Sequence, residues 1–171
     1  MPGQKSVSLY QQQKAVKPKP EDVANSFLDA EKAAAFLIII EFIRANKINI
    51  AWVAGNSWGL NYRGKRMAFL KIHEGNWFFC QQPRHMQNYV DMDACELKNF
   101  VFENIYVKTC DGGDCRYNNP NNLKADYFDA DVCKCWPLRI FNADGERLEQ
   151  TKKLIEYSKN CILMIKEYNN V

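Results

Sequence analysis

Histidine is scarce: His73 and His85 are the only two in 171 residues. Several signatures that place catalytic groups are also missing, with no HExxH, no Walker loop and no dinucleotide fingerprint. Nothing in the motif content therefore points to zinc-protease, P-loop or Rossmann chemistry. No apolar run approaches the roughly 20 residues of a membrane span, and the first 20 residues lack the apolar core of a signal peptide. There is no Asn-x-Ser/Thr sequon, in keeping with a chain that is not secreted. These absences predict a soluble, cytoplasmic protein with no membrane association. In a reducing compartment its seven cysteines read as free thiols or metal ligands, and their odd number agrees.

Charge of one sign is concentrated in a single place. The formal net charge is +3, but residues 1 to 20 hold Lys5, Lys14, Lys17 and Lys19 and no acid, which leaves 19 basic and 20 acidic residues from Glu21 onward. The remainder is nearly neutral, so field-driven binding of the whole domain to nucleic acid is not supported, although a local patch is. Residues 1 to 24 are polar and carry Pro18 and Pro20. They offer little apolar surface against the entropy of ordering and predict a flexible basic tail. Residues 25 to 171 suit a single domain, long enough to bury roughly two thirds of its unfolded surface without staples.

What is present is organised around Ile48 to Gln81, which reads as a four-stranded antiparallel meander. Trp58, Leu60 and Tyr62 alternate with Ser57, Gly59, Asn61 and Arg63, the period of two that marks a strand. Arg63-Gly64-Lys65 and Glu74-Gly75-Asn76 supply the residues that tight hairpins demand. Such a sheet needs an apolar cover. Asp29 can cap a helix from Ala30 to about Asn46 whose centre, AAAFLIII, is apolar nearly all round. After an ambiguous Gln82 to Tyr89, Asp91 or Asp93 caps a second helix ending near Ile105. Thr109 to Asp126 reads as a long loop, and Tyr127 to Phe141 as extended chain with Pro137 favouring an edge. Asp144 caps a last helix from Gly145 to about Tyr168. A helix, a meander and further helices make an α+β layer arrangement, an antiparallel β-meander covered by helices behind a disordered N-terminal tail.

Three constellations could carry chemistry. Cys110 and Cys115 with Cys133 and Cys135 form two pairs able to converge on a tetrahedral structural zinc, although C-x4-C followed by C-x-C is not the usual zinc-ribbon spacing. The alternatives are free thiols, some in the core, or a Cys110–Cys115 redox pair. Asp111 and Asp114 would raise those thiol pKa values and oppose a reactive thiolate. Cys80 with His73 or His85 is a candidate cysteine-enzyme dyad, set against a core cysteine on an aromatic strand. Finally, Trp52, Trp58, Tyr62 and Trp77, beside Arg63, Lys65 and Arg66, suggest aromatic walls with a basic lip for a small anionic ligand or a nucleic-acid backbone. The competing reading is an ordinary aromatic core with a charged turn.

With its GNSW segment, its Tyr62-Arg63-Gly64-Lys65-Arg66 hairpin and its acid-capped final helix, the layout of residues 28 to 168 resembles the small bacterial α+β domains grouped as YdhG-like or YjbR/MmcQ-like. That resemblance implies DNA binding as one function. The residues themselves lead to a non-enzymatic domain that binds a small molecule or protein partner on the meander's aromatic face. The alternatives are a nucleic-acid-binding accessory protein using Lys5 to Lys19 with Arg63, Lys65 and Arg66, and a cysteine-dependent enzyme.

Overall fold

The structure, a computed structural model, describes residues 8–81, 95–104, 124–127, 130–133 and 138–168. Helices α1 (Leu9–Val16), α2 (Pro20–Phe27) and α3 (Ala30–Ala45) precede the sheet. Four strands then follow as a meander, β1 (Asn49–Trp52), β2 (Ser57–Tyr62), β3 (Lys65–His73) and β4 (Asn76–Gln81). Helix α4 (Cys95–Glu103), a hairpin of β5 (Lys124–Tyr127) and β6 (Ala130–Cys133), strand β7 (Leu138–Phe141) and helix α5 (Gly145–Tyr168) complete the chain. The main sheet has the order β1-β2-β3-β4-β7, antiparallel throughout, and β5 with β6 forms a separate two-stranded sheet. The fold is α+β, as the alternation of residues in the meander predicts.

Both predicted tight turns form as two-residue hairpin loops with positive φ at each central residue: Arg63 and Gly64 at 47° and 79°, Glu74 and Gly75 at 50° and 71°. This geometry matches the right-handed twist of the flanking strands. The Asp29 carboxylate accepts from the Lys32 amide at 2.9 Å and starts α3 as predicted. From there Ala33, Phe36, Ile39, Ile40 and Ile43 are buried over the sheet. Phe36 packs edge-on to Trp77 at 5.5 Å between ring centres and tilts against Trp58 at 6.4 Å. Helix α5 closes the same layer, its Ser158 hydroxyl accepting at 2.8 Å from the fully buried Gln81 amide. A buried amide left without partners would cost about 1–3 kcal/mol, so this link fixes where β4 ends beneath the helix.

Two expectations are corrected. In place of the disordered tail of residues 1 to 24, residues 8 to 24 contribute α1 and the greater part of α2. Ser8 and Gln11 form a reciprocal capping box at α1, while Pro20 opens α2 with Glu21 and Asp22 in its first turn. Local end-chemistry and contacts to the sheet supply what an apolar stripe does not. The extended return also begins earlier than Tyr127, since Lys124 to Asp126, placed in the loop by sequence, pair in β5. The remainder of that loop, Gln82 to Tyr89, His85, the caps Asp91 and Asp93, Cys110, Cys115, Cys135 and Pro137 lie outside the described residues.

One irregularity decides where a cation points. Leu60 pairs with Ala68 but Asn61 pairs with Arg66, so Met67 is an extra residue on β3. This bulge lets Met67 and Ala68 both be buried. It also places Arg66 opposite Asn61, on the sheet face away from α3.

Candidate functional site

Strand β1 is one edge of the sheet. Along it, the segment joining α1 to α2 closes off a cleft of about 510 Å³. The cleft is lined by Lys17, Pro18, Lys19 and Pro20 on one side, by Ile48 to Trp52 and Trp58 on the other, and by Arg44 from the last turn of α3. That volume falls in the range of small-ligand sites, about 300–1,000 Å³.

The geometry of the joining segment follows from its residues. Lys17 ends α1 in the left-handed region at φ 48°, its N–H bonding the Gln13 carbonyl at 2.7 Å. Lys19 is extended, as a residue before proline prefers. The Trp58 indole N–H donates to the Pro18 carbonyl at 2.9 Å and pins the segment to the sheet. Helix α1, which buries none of its residues, is held by Trp52. Tyr10 stacks on that indole at 5.8 Å and 19°. The Trp52 N–H reaches the Gly55 carbonyl at 3.0 Å and Gln13 Oε1 at 3.3 Å, and the Gln13 amide bonds Asn56 at 2.6 Å.

The cleft is cationic. Lys17 and Lys19 are exposed, and Arg44 pairs with Glu21 on α2. No acidic residue lines the cavity. Both indole donors are already engaged, which leaves the lysine ammonium groups and the strand edge as the polar groups an occupant would meet.

The seven residues singled out by sequence fall in four places. Trp52 and Trp58 flank the cleft, although Trp58 is only 1 % exposed and presents little of its ring. Trp77 is fully buried under Phe36 and presents no surface. Tyr62, Arg63 and Lys65 form the β2–β3 hairpin tip. The Arg63 guanidinium lies 5.7 Å from the Tyr62 ring centre and the Lys159 ammonium 5.6 Å from it, so the ring is engaged within the protein. Arg66 lies on the opposite face, its Nε donating to Asn61 at 2.6 Å and its guanidinium 5.0 Å over Phe69. A methyl group added at Gly59 would overlap that guanidinium. The crowding of aromatics in the meander is thus resolved: Trp58, Trp77 and Phe79 are core, whereas Phe69 lies on the face with Arg66.

Sequence reasoning named Lys17 and Lys19 only as part of a basic tail, and missed both their place beside β1 and Arg44. The Ser8-Leu-Tyr-Gln11 capping box and Pro20-Glu21-Asp22 were the available signals that the basic segment sits between two helices and is held in place.

The dyad candidate does not assemble on one side. Cys80 pairs with Phe69 on β3, four residues from His73, or about 13 Å along a strand. His73 projects into solvent at the β3–β4 turn, its side chain 74 % exposed. Cys80 is buried, and that burial pushes its thiol pKa up against the opposing influence of Lys71 and Arg139. A buried neutral thiol is a poor nucleophile.

Of the zinc candidates, Cys133 ends β6 opposite Lys124, and the other three lie outside the described residues. Among the described residues no three His, Cys, Asp or Glu groups converge on a metal position, and no helix is long and apolar enough to cross a membrane. Comparison with protein-family models, curated proteins and solved structures finds no match.

Proposed function

We propose that this chain is a cytoplasmic, non-enzymatic binding domain that holds an anionic ligand or partner segment in the cleft beside β1. One observation carries the reading: Lys17, Lys19 and Arg44 line a cavity that contains no acid. An anion there gains from the Lys17 and Lys19 ammonium groups at a partly enclosed site, where screening is weaker than on an open surface, while Arg44 is already paired with Glu21. The indole of Trp52 adds an apolar wall and is itself braced by Tyr10.

Calorimetric titration with inorganic pyrophosphate tests the site. Binding that weakens as salt rises, and weakens again in the Lys17→Ala, Lys19→Ala double variant, supports it. Affinity indifferent to both removes it. A steep salt slope for single-stranded or duplex DNA, reduced on substituting Arg63 and Lys65 as well as the lysines of the Lys5 to Lys19 segment, would instead favour the nucleic-acid reading.

A structural zinc on Cys110, Cys115, Cys133 and Cys135 is a separate proposal that rests on the sequence. Elemental analysis of the purified protein decides it.

A further inference from the structure

The shape of the cleft says more about its occupant than its charge does. It follows β1 through five consecutive residues, Ile48 to Trp52, a run of about 16 Å at strand spacing. The Val53 N–H bonds the Ser57 carbonyl at 2.9 Å. By the alternation of an antiparallel ladder, Ala51 and Asn49 then turn their N–H and C=O groups toward β2, and Ile50 and Trp52 turn theirs outward. No described residue bonds the backbone of Ile50 or Trp52 on that outer side. The segment facing this edge is the one least able to complete the ladder, because Pro18 and Pro20 have no N–H and the Pro18 carbonyl is committed to Trp58.

We infer that the occupant of the cleft is an extended acidic peptide segment that adds to the sheet as a strand beside β1. The inference rests on the anion-binding cleft proposed above and deepens it. Backbone pairing with Ile50 and Trp52 supplies affinity, and the ammonium groups of Lys17 and Lys19 select alternate acidic side chains. A compact anion would meet the cations and leave the strand edge unpaired; an extended chain meets both. The cations also set the sign of the partner, since a basic segment would bring like charges against Lys17 and Lys19.

The test is fluorescence polarisation of the full chain with a labelled, acetylated peptide of alternating glutamate and valine, six residues long. Two analogues, methylated on the odd or the even backbone nitrogens, keep every side chain and charge but lose alternate N–H donors. One of the two should bind at least about tenfold more weakly than the parent, and Lys17→Ala with Lys19→Ala should weaken the parent by a similar factor. On binding the parent, the amides of Ile50 and Trp52 should gain protection from hydrogen exchange. Parent and both analogues binding equally, or no protection at Ile50 and Trp52, overturns strand pairing. If pyrophosphate binds in a Lys17- and Lys19-dependent manner while the peptide does not, the pairing inference falls and the anion site stands. If neither binds, both fall.

Discussion

The Trp58 indole N–H and the Pro18 carbonyl meet at 2.9 Å, and this single bond joins the core of the sheet to the wall of the cleft. Trp58 is almost wholly buried, so its donor has no solvent alternative. Trp58→Phe keeps most of the apolar bulk and removes the donor. It should cost about 1 kcal/mol in a urea unfolding midpoint, a typical net hydrogen-bond contribution. It should also weaken peptide or pyrophosphate binding, because the Lys17–Pro20 segment loses its anchor.

Phe36 is the centre of the helix-to-sheet contact, fully buried against Trp58 and Trp77. Phe36→Ala should destabilise the domain by about 3–5 kcal/mol, the range for deleting a buried phenyl ring. Ile38→Ala, at an exposed position on the same helix, should cost far less. Chemical denaturation of the two variants checks the contrast.

Cys80 is held neutral by burial. A thiol whose pKa is raised on folding contributes stability that is intact below the ordinary thiol value, about 8.5, and lost as pH rises through its folded value. The wild type should therefore lose stability in mildly alkaline buffer, and Cys80→Ala should lose less over the same interval. Iodoacetamide at neutral pH should leave Cys80 unlabelled in the native protein.

Gly59 and Arg66 are coupled through space, since the guanidinium occupies the room a side chain at 59 would need. Gly59→Ala should displace Arg66 from Phe69 and Asn61. In an Arg66→Ala background the same change should cost less, giving a coupling of about 0.5 kcal/mol or more in a double-mutant cycle.

For the cysteine-rich segment, the zinc proposal gives a near-stoichiometric metal content that falls, together with the melting temperature, when a strong chelator is added. Four-cysteine zinc sites contribute folding energy directly, so the two losses should occur together. Metal-free protein indifferent to chelator rejects the site.

The sheet was legible because its signals are local and periodic. Trp58, Leu60 and Tyr62 alternate, Arg63-Gly64 and Glu74-Gly75 accept left-handed backbone, and Asp29 and Asp144 stand just ahead of their helices. What escaped depended on partners distant in sequence. Helix α1 has no buried face and is held by Trp52 and Asn56, some 40 residues away. The bulge at Met67 was invisible to a strict alternation, which would send Arg66 toward the core. The cleft was missed for the same reason: Lys17 and Lys19 look like a solvated charge run until Trp58 fixes Pro18. Grouping the aromatics by proximity in sequence merged the buried Trp77 with Trp52, which lies at the sheet edge.

The alternating Lys17-Pro18-Lys19-Pro20 also bears on how copies of this chain avoid one another. An open edge strand is a template for pairing with its own kind, and natural sheets blunt such edges with charge and proline. Here both devices stand alongside β1 rather than within it. The guard can thus repel a second cationic β1 edge by like charge while leaving the edge chemically intact for an acidic strand. A chain shorn of residues 1 to 20 should lose that discrimination, and its sheet should become prone to edge-to-edge aggregation.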